Sequence, residues 1–362
     1  MKKILSVIGT RPNFIKIAPI YRAFLKYPEV QHLLCHTGQH SDDKMSKVFF
    51  NELGIPVPDF HLGINSGSHA VQTANIMIEF EKVLNEVLPD LVIVVGDVNS
   101  TVACAFTAVK LHIPVAHIEA GLRSGDRSMP EEINRLVTDA ISDMLFITER
   151  NALENLTKEG ISKEKIFFTG NVMIDSLVFL KEKINSSLVL ESIGIQARDY
   201  FLVTFHRPSN VDNFKSLNEL IDFLNEISEF KKVIFPIHPR TLKNIYKFQL
   251  ERKISTNVHL TEPLGYLDFQ SLVSKAFMVI TDSGGIQEET TFLSVPCITV
   301  RDNTERPVTV DIGTNILCGS DTTQVMKTIK DSITGNLKKG SIPELWDGKA
   351  AERIAEILIT SL

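Results

Sequence analysis

The chain has 362 residues, 43% of them hydrophobic and 23% charged, with a formal net charge of −6 at pH 7. This is the composition of a globular protein long enough for two domains with full cores. The negative balance argues against a general nucleic-acid binder, and no apolar stretch approaches the roughly 20 residues of a membrane-spanning helix.

The start, Met1–Gly9, imitates a signal peptide, but its apolar run is short and ends at Thr10-Arg11-Pro12, so it reads as a buried first strand. Short apolar runs then alternate with amphipathic ones. Strands are expected at Ile4–Ile8, Val30–His36, Leu91–Val95, Pro114–Ile118, Met144–Ile147 and Ile166–Phe168. The pattern restarts with Tyr200–Thr204, Lys232–Pro236, Val258–Leu260, Phe277–Thr281, Pro296–Val300 and Asn315–Leu317. Helical periodicity fills the gaps, as over Val71–Leu88 and Ile133–Ile141; in the latter, Ile133, Leu136, Val137, Ala140 and Ile141 form one face. The alternation predicts an α/β fold of two Rossmann-like, doubly wound domains facing a cleft. The expected division is residues 1–170, residues 171–348, and a C-terminal helix, 349–362, placed to pack back on the first domain.

Cys35, Cys104, Cys297 and Cys318 are scattered and form no C-x-x-C. The first three lie in apolar patterns, as reduced thiols of a cytoplasmic protein do. The histidines show no zinc-like spacing, so no metal site is expected, and no organic cofactor is signalled.

The chemistry gathers at strand ends. Val115–Ile118 runs into Glu119, a glycine- and arginine-containing loop follows, and Pro130 opens a helix with Glu131 and Glu132 in its first turn. Upstream, V-I-V-V-G-D brings Asp97 to the end of another strand. Arg123, Arg127 and Arg135 lie nearby. Pro130 with first-turn glutamates is also ordinary helix-start chemistry, and Glu131 and Arg135, four apart, also suit a surface pair. The argument for a site is that three carboxylates all follow apolar strands, on the side where open α/β sheets bind ligands.

Two turns suit phosphate. F-M-V-I-T-D-S-G-G-I-Q-E-E takes a strand into Ser283-Gly284-Gly285 and at once into a helix, whose N–H groups and dipole favour an anion; a serine N-cap with packing glycines is the plainer alternative. Glu289, about a turn inside, is placed to accept from ribose hydroxyls. Gly9-Thr10-Arg11-Pro12-Asn13 leads into a helix with Lys16. Cations there oppose the helix dipole and make more sense beside an anion. His206-Arg207, His238 with Arg240, and Arg306 follow three further strands at the same edge.

These motifs run in order: G-T-R-P-x-x-I-K-x-x-P, G-D-x-x-S-T, H-I-E-A-G-L-R-S, P-E-E-x-N-R, T-G-N-x-x-I-D, a strand-end H-R, T-D-S-G-G-I-Q-E-E and R-D-x-T-E-R-P. From Gly9 to Pro307 the chain resembles the non-hydrolysing UDP-N-acetylglucosamine 2-epimerases. The resemblance implies a glycosyltransferase-B-like fold with the nucleotide sugar in the cleft. It implies anti elimination of UDP to 2-acetamidoglucal and re-addition with a proton on the other face of C2. Asp97, Glu119, Glu131 and His206 match the catalytic positions. Arg11, Lys16, Ser283, Gly284, Gly285, Glu289 and Arg306 match UDP-binding positions, and Leu264 and Phe269 match positions lining the uracil; His238 is grouped with them by its strand end.

Gln39-His40 is present, but serine and aspartates follow where regulated relatives carry longer polar or basic side chains. The expected partners are a UDP-sugar and a second copy of the chain in a homodimer, with no nucleic acid and no membrane. The readings left open are a 2-epimerase of UDP-2,3-diacetamido-glucuronic acid or UDP-GalNAc, a hydrolysing epimerase, a glycosyltransferase, and a nucleotide-sugar sensor. Retention of all three carboxylates disfavours the sensor, and motif order disfavours the transferase.

Overall fold

A computed structural model describes residues 1–38, 50, 52–64, 67–205 and 208–362. Gln39-His40 with the residues after it, and His206-Arg207, lie outside the described residues. The chain forms two compact units, Met1–Phe179 with Glu344–Leu362, and Leu180–Pro343. Among the described residues no helix is long and apolar enough to cross a membrane.

The first unit holds a parallel sheet of seven strands. They are β1 (Lys2–Ile8), β2 (Val30–His36), β3 (Phe60–His61), β4 (Leu91–Val95), β5 (Val115–Ile118), β6 (Met144–Ile147) and β7 (Ile166–Phe168). Their order is β3-β2-β1-β4-β5-β6-β7. The direction of winding therefore reverses between β1 and β4. The principal helices are α1 (Arg11–Phe24), α2 (His69–Val87), α3 (Asn99–Lys110), α4 (Pro130–Ile141), α5 (Arg150–Lys158) and α6 (Val172–Asn185).

The second unit carries six parallel strands: β8 (Tyr200–Thr204), β9 (Lys232–Pro236), β10 (Val258–Thr261), β11 (Met278–Thr281), β12 (Cys297–Thr299) and β13 (Asn315–Leu317). Their order, β10-β9-β8-β11-β12-β13, reverses between β8 and β11. Along β8, Phe201 and Val203 enter one core, with Leu217, Leu224 and Ile329. Tyr200 and Leu202 enter another, with Leu190, Leu272 and Val273. Burial on both faces is why such strands read as continuous apolar runs.

All twelve expected strands form, seven with the expected ends and five with one or both ends shifted by one or two residues. Two-residue β3 is the addition, too short to leave a periodic signature. Helix α4 also forms, but its apolar face looks outward: Ile133 and Val137 are 37% and 36% exposed, while Glu132, Arg135, Thr138 and Asp139 are buried. The polar face turns inward because the ends of β4 and β5 offer it charged and hydrogen-bonding partners, which a hydrophobic stripe lacks.

The C-terminal helix, Ala350–Ser361, belongs to the first unit. The carboxylate of Asp175 in α6 accepts from the N–H groups of Ala350 (3.1 Å) and Ala351 (2.7 Å) at its start. Trp346 is 2% exposed and donates its indole N–H to the Thr148 carbonyl at 3.0 Å. Arg353 donates to the Thr169 carbonyl at 2.7 Å. Trp346→Ala is expected to lower stability by about 3–5 kcal/mol, the usual cost of truncating a buried aromatic, read as a shift in the midpoint of chemical denaturation.

Candidate active site

In open α/β sheets ligands bind beyond the carboxyl ends of the strands where the winding reverses. In the first unit that place is the ends of β1 and β4. Asn13 joins them: its side-chain oxygen accepts from the Thr10 N–H (2.8 Å) and its amide donates to the Val95 carbonyl (3.1 Å). Gly96, just past β4, has a φ of +71°, and an added Cβ would sit 3.3 Å from Lys16 Nζ. Glycine therefore allows both the turn and the close approach of the ammonium.

Four charged side chains follow from this frame. Lys16, on the buried side of α1, forms an ion pair with Glu119, and both are nearly inaccessible. Glu119 continues β5 with a φ of +71°, a left-handed conformation that is uncommon for a residue with a side chain. Its neighbour strand delivers Asp97, which is partly exposed and pairs with the buried Arg135. Arg135 also binds Glu132 at 2.6 Å. Asn134 donates to the Asp97 carbonyl at 2.8 Å, so α4 holds the Asp97 turn by backbone and side chain together. Glu131 stands one turn before Arg135 on the same helix, partly exposed.

Glu132 closes the adjoining loop. Its oxygens accept from the N–H groups of Ser124 (3.0 Å) and Gly125 (2.9 Å). Burial pushes this carboxyl up, but those bonds and Arg135 bring it below the usual carboxylate range.

The cations around the rim fall differently from one another. Arg135 forms no surface pair with Glu131; it is buried against Asp97 and Glu132. Arg123 faces away from the carboxylate rim, to Asp139 (2.7 Å) and Glu159 (2.6 Å). The anion beside Lys16 is Glu119 of the protein itself. Arg11 is partly buried, which lowers its guanidinium's pKa, while Glu52 opposes the shift.

In the second unit the corresponding place is the ends of β8 and β11, whose Thr204 and Thr281 hydroxyls meet at 2.7 Å. Ser283-Gly284-Gly285 forms a partly exposed turn into the helix Gly285–Phe292. The Ser283 side chain does not cap that helix, and the Ser283 N–H donates to Thr281 Oγ1 at 2.9 Å. The first-turn N–H groups thus face the turn, the geometry that suits an anion. A Cβ on Gly284 would land on Glu305 Oε1, so the loop of Arg306 packs directly on the turn.

Arg306 is buried between Glu288 (2.7 Å) and Glu305 (2.8 Å), and Arg301 completes the set on Glu305 at 3.0 Å. Gln287 joins loop to helix: its oxygen accepts from Thr304 (2.7 Å) and Asn315 (3.1 Å). Glu289 is buried, and burial pushes it up to about 7, against hydrogen bonds from Gln270 and Tyr266 and with Glu288 adding to the rise. Leu264 and Phe269 pack, partly buried, on the core of Leu202, Leu272 and Val273. His238 is exposed at the start of the helix Pro239–Lys247 and accepts from the Arg240 N–H at 3.1 Å. His206 lies outside the described residues.

The sequence pattern of the family described as UDP-N-acetylglucosamine 2-epimerase matches residues 22–359. The chain belongs to the UDP-N-acetylglucosamine 2-epimerase family. It is similar to the UDP-N-acetylglucosamine 2-epimerase of Methanocaldococcus jannaschii, 46% identical over 98% of both chains. A crystal structure of the M. jannaschii enzyme in complex with UDP-GlcNAc and UDP matches with a TM-score of 0.91, covering 99% of each chain. The UDP-2,3-diacetamido-2,3-dideoxy-D-glucuronate 2-epimerase of Pseudomonas aeruginosa is 40% identical over 98% of this chain and 99% of its own.

Sequence reasoning named the epimerase-family carboxylates but passed over Glu132, Gln287, Glu288 and Glu305. Glu132 and Arg135, three apart on α4, carry a helical signal; Arg301 and Glu305, four apart, lie where no helix makes the spacing audible.

Glu289 gives a measurable signature. Its folded value, about 7, lies above the 4.5 of an ordinary glutamate, so between these pH values the folded chain holds a proton that the unfolded chain has released. Its contribution to stability therefore falls as pH rises from about 4.5 to about 7 and stays lost above. Glu289→Gln is expected to flatten that slope, read from chemical denaturation at pH 5 and pH 8; parallel slopes for the two proteins would show that Glu289 does not carry it.

Proposed function

We propose that this chain interconverts UDP-N-acetylglucosamine and UDP-N-acetylmannosamine without hydrolysis, as a cytoplasmic step towards a surface polysaccharide. The observation that carries the reading is the gathering of carboxylates at one strand-end edge: Asp97 against Arg135, Glu131 one turn before Arg135 on the same helix, and Glu119 against Lys16. Inverting C2 of the sugar requires a base on one face and an acid on the other, because its C–H bond is poorly acidic. In the forward step a base takes the C2 proton, the C–H electrons form the C1=C2 bond, and the C1–O bond breaks with its electrons on UDP. UDP then adds back to C1 while a proton reaches the opposite face of C2.

In this reading Asp97 and Glu131 are the proton-handling pair, and Glu119 positions the sugar or acts as a third acid–base group. By its motif, His206 is assigned to the diphosphate. Arg11, Lys16, Ser283, Gly284, Gly285, Glu289, Arg306 and His238 hold UDP, and Leu264 and Phe269 line the uracil. The division of labour assigns residues 1–170 to acid–base chemistry, 171–348 to the nucleotide and 349–362 to a helix returning to the first domain. No cofactor takes part. A second reading, action on UDP-2,3-diacetamido-glucuronic acid, is favoured by the 40% identity to the Pseudomonas enzyme.

We further infer a homodimer. Ile133 and Val137 stand one turn apart and exposed on α4, and Phe106 is exposed on α3, which packs beside it. Apolar side chains grouped on neighbouring helices fit a self-complementary interface.

Two tests follow. Incubation with UDP-GlcNAc in D2O without cofactor is expected to place deuterium at C2 of both epimers with UDP attached. Free ManNAc in place of UDP-ManNAc would mean hydrolysis, and turnover of the diacetamido sugar alone would select the second reading. Asp97→Asn and Glu131→Gln are each expected to reduce kcat at least 100-fold while KM changes little; a near-normal rate removes that residue from the mechanism. For the assembly, light scattering should give twice the chain mass for the parent and the single mass for Val137→Glu. A monomeric parent would overturn the dimer.

A further inference from the structure

One pair of ionisable side chains in the first unit touches neither the Asp97–Arg135 nor the Lys16–Glu119 contact, yet it reaches the backbone beside both. His117, on β5, and Asp139, on α4, are buried to within 1% of full inaccessibility. His117 Nε2 lies 2.8 Å from the Gly96 carbonyl. A carbonyl oxygen only accepts, so Nε2 carries the hydrogen and donates. His117 Nδ1 lies 2.6 Å from Asp139 Oδ1, and these two atoms share the remaining proton. The other Asp139 oxygen accepts from the Gly121 N–H at 3.0 Å and pairs with Arg123 at 2.7 Å. Burial pushes the Asp139 carboxyl up, but His117 and Arg123 hold it below the usual range.

We propose that the His117–Asp139 pair is a positioning device for the reaction, fixing the Asp97 turn through the Gly96 carbonyl and the Glu119 turn through the Gly121 N–H. The inference rests on the catalytic reading of Asp97 and Glu119 given above. The geometry supports it from both ends. Gly96 immediately precedes Asp97 and has a left-handed φ of +71°; Glu119, two residues before Gly121, has the same φ. The Gly96 N–H donates to the Ile118 carbonyl (3.0 Å) and the Glu119 N–H to the Phe146 carbonyl (3.0 Å), which extends the strand ladders; beyond them the Gly96 carbonyl and the Gly121 N–H are held by side chains. One imidazole and one carboxylate supply both bonds, and Asp139 sits on the helix that carries Glu131. Displacing a reacting group by about 1 Å costs on the order of 100-fold in rate, so the pair acts on turnover without touching substrate.

The test compares His117→Phe, Asp139→Ala and Asp139→Asn with Asp97→Asn as reference, in the full chain, following C2 deuterium exchange and thermal melting. His117→Phe and Asp139→Ala are expected to lose on the order of 100-fold in kcat with KM within about threefold of the parent. Asp139→Asn is expected to stay within about tenfold of the parent, because its amide donates to a neutral His117 while its oxygen still accepts from Gly121. A purely structural role would lower the melting temperature in step with side-chain loss and leave kcat of the folded fraction near normal. A kcat within about threefold of the parent for folded His117→Phe or Asp139→Ala overturns the proposal, as does Asp139→Asn as slow as Asp139→Ala. Should His117→Phe and Asp139→Ala fail to fold, a loss on the order of 100-fold in folded Asp139→Asn overturns it. Parental rates in Asp97→Asn would instead sink the catalytic reading, whatever His117 does.

Discussion

Two parallel strands that end side by side, each continuing into a carboxylate, impose the constraint on which the first unit is built. A carboxylate at the buried end of a strand loses hydration, and the loss is tolerable only with a cation and hydrogen bonds in place. Lys16 meets Glu119, and Arg135 meets Asp97. For the buried Lys16–Glu119 pair, removing one member typically costs about 3–5 kcal/mol, because the other charge is stranded. The need for Arg135 at this point explains why α4 turns its polar face inward and leaves Ile133 and Val137 outside. It also explains why a lysine sits in the early turns of α1, where the helix dipole alone disfavours it.

What could be read beforehand follows from what is local. Strands buried on both faces announce themselves as apolar runs, and all twelve were legible, as were the places of Asp97, Glu119 and Ser283 just past strand ends. Partnerships were not legible, because they join residues distant in sequence. The pairs Lys16–Glu119 and Arg135–Asp97 span over a hundred and nearly forty positions respectively. The i,i+4 spacing made Glu131 one candidate mate for Arg135, but the helix rotation that serves Asp97 selects Glu132, three residues away. Arg123 illustrates the same limit: its loop position suggested the rim, but Asp139 and Glu159 lie within its reach on the other side. Periodicity showed that α4 has an apolar face and was silent on which way that face points.

The second unit treats charge differently. Arg306 and Arg301 are matched by Glu288 and Glu305, two cations against two anions, all buried. Such a set has almost no net charge to attract a diphosphate. What remains for an anion is directional: the N–H groups of Gly284 and Gly285, with Arg306 fixed beside them by its glutamates. On the mechanism proposed here UDP must leave the sugar without leaving the enzyme, then return to C1. A large uncompensated positive field would stabilise free UDP over the transition state and slow the return, since only interactions stronger in the transition state speed the chemical step. Pre-oriented donors in a neutral setting hold the diphosphate before and after the bond breaks and need little reorganisation between the two. A reversible elimination is better served by that balance than by tight electrostatic capture, which makes Glu288 and Glu305 as much a part of the nucleotide's environment as the arginine they flank.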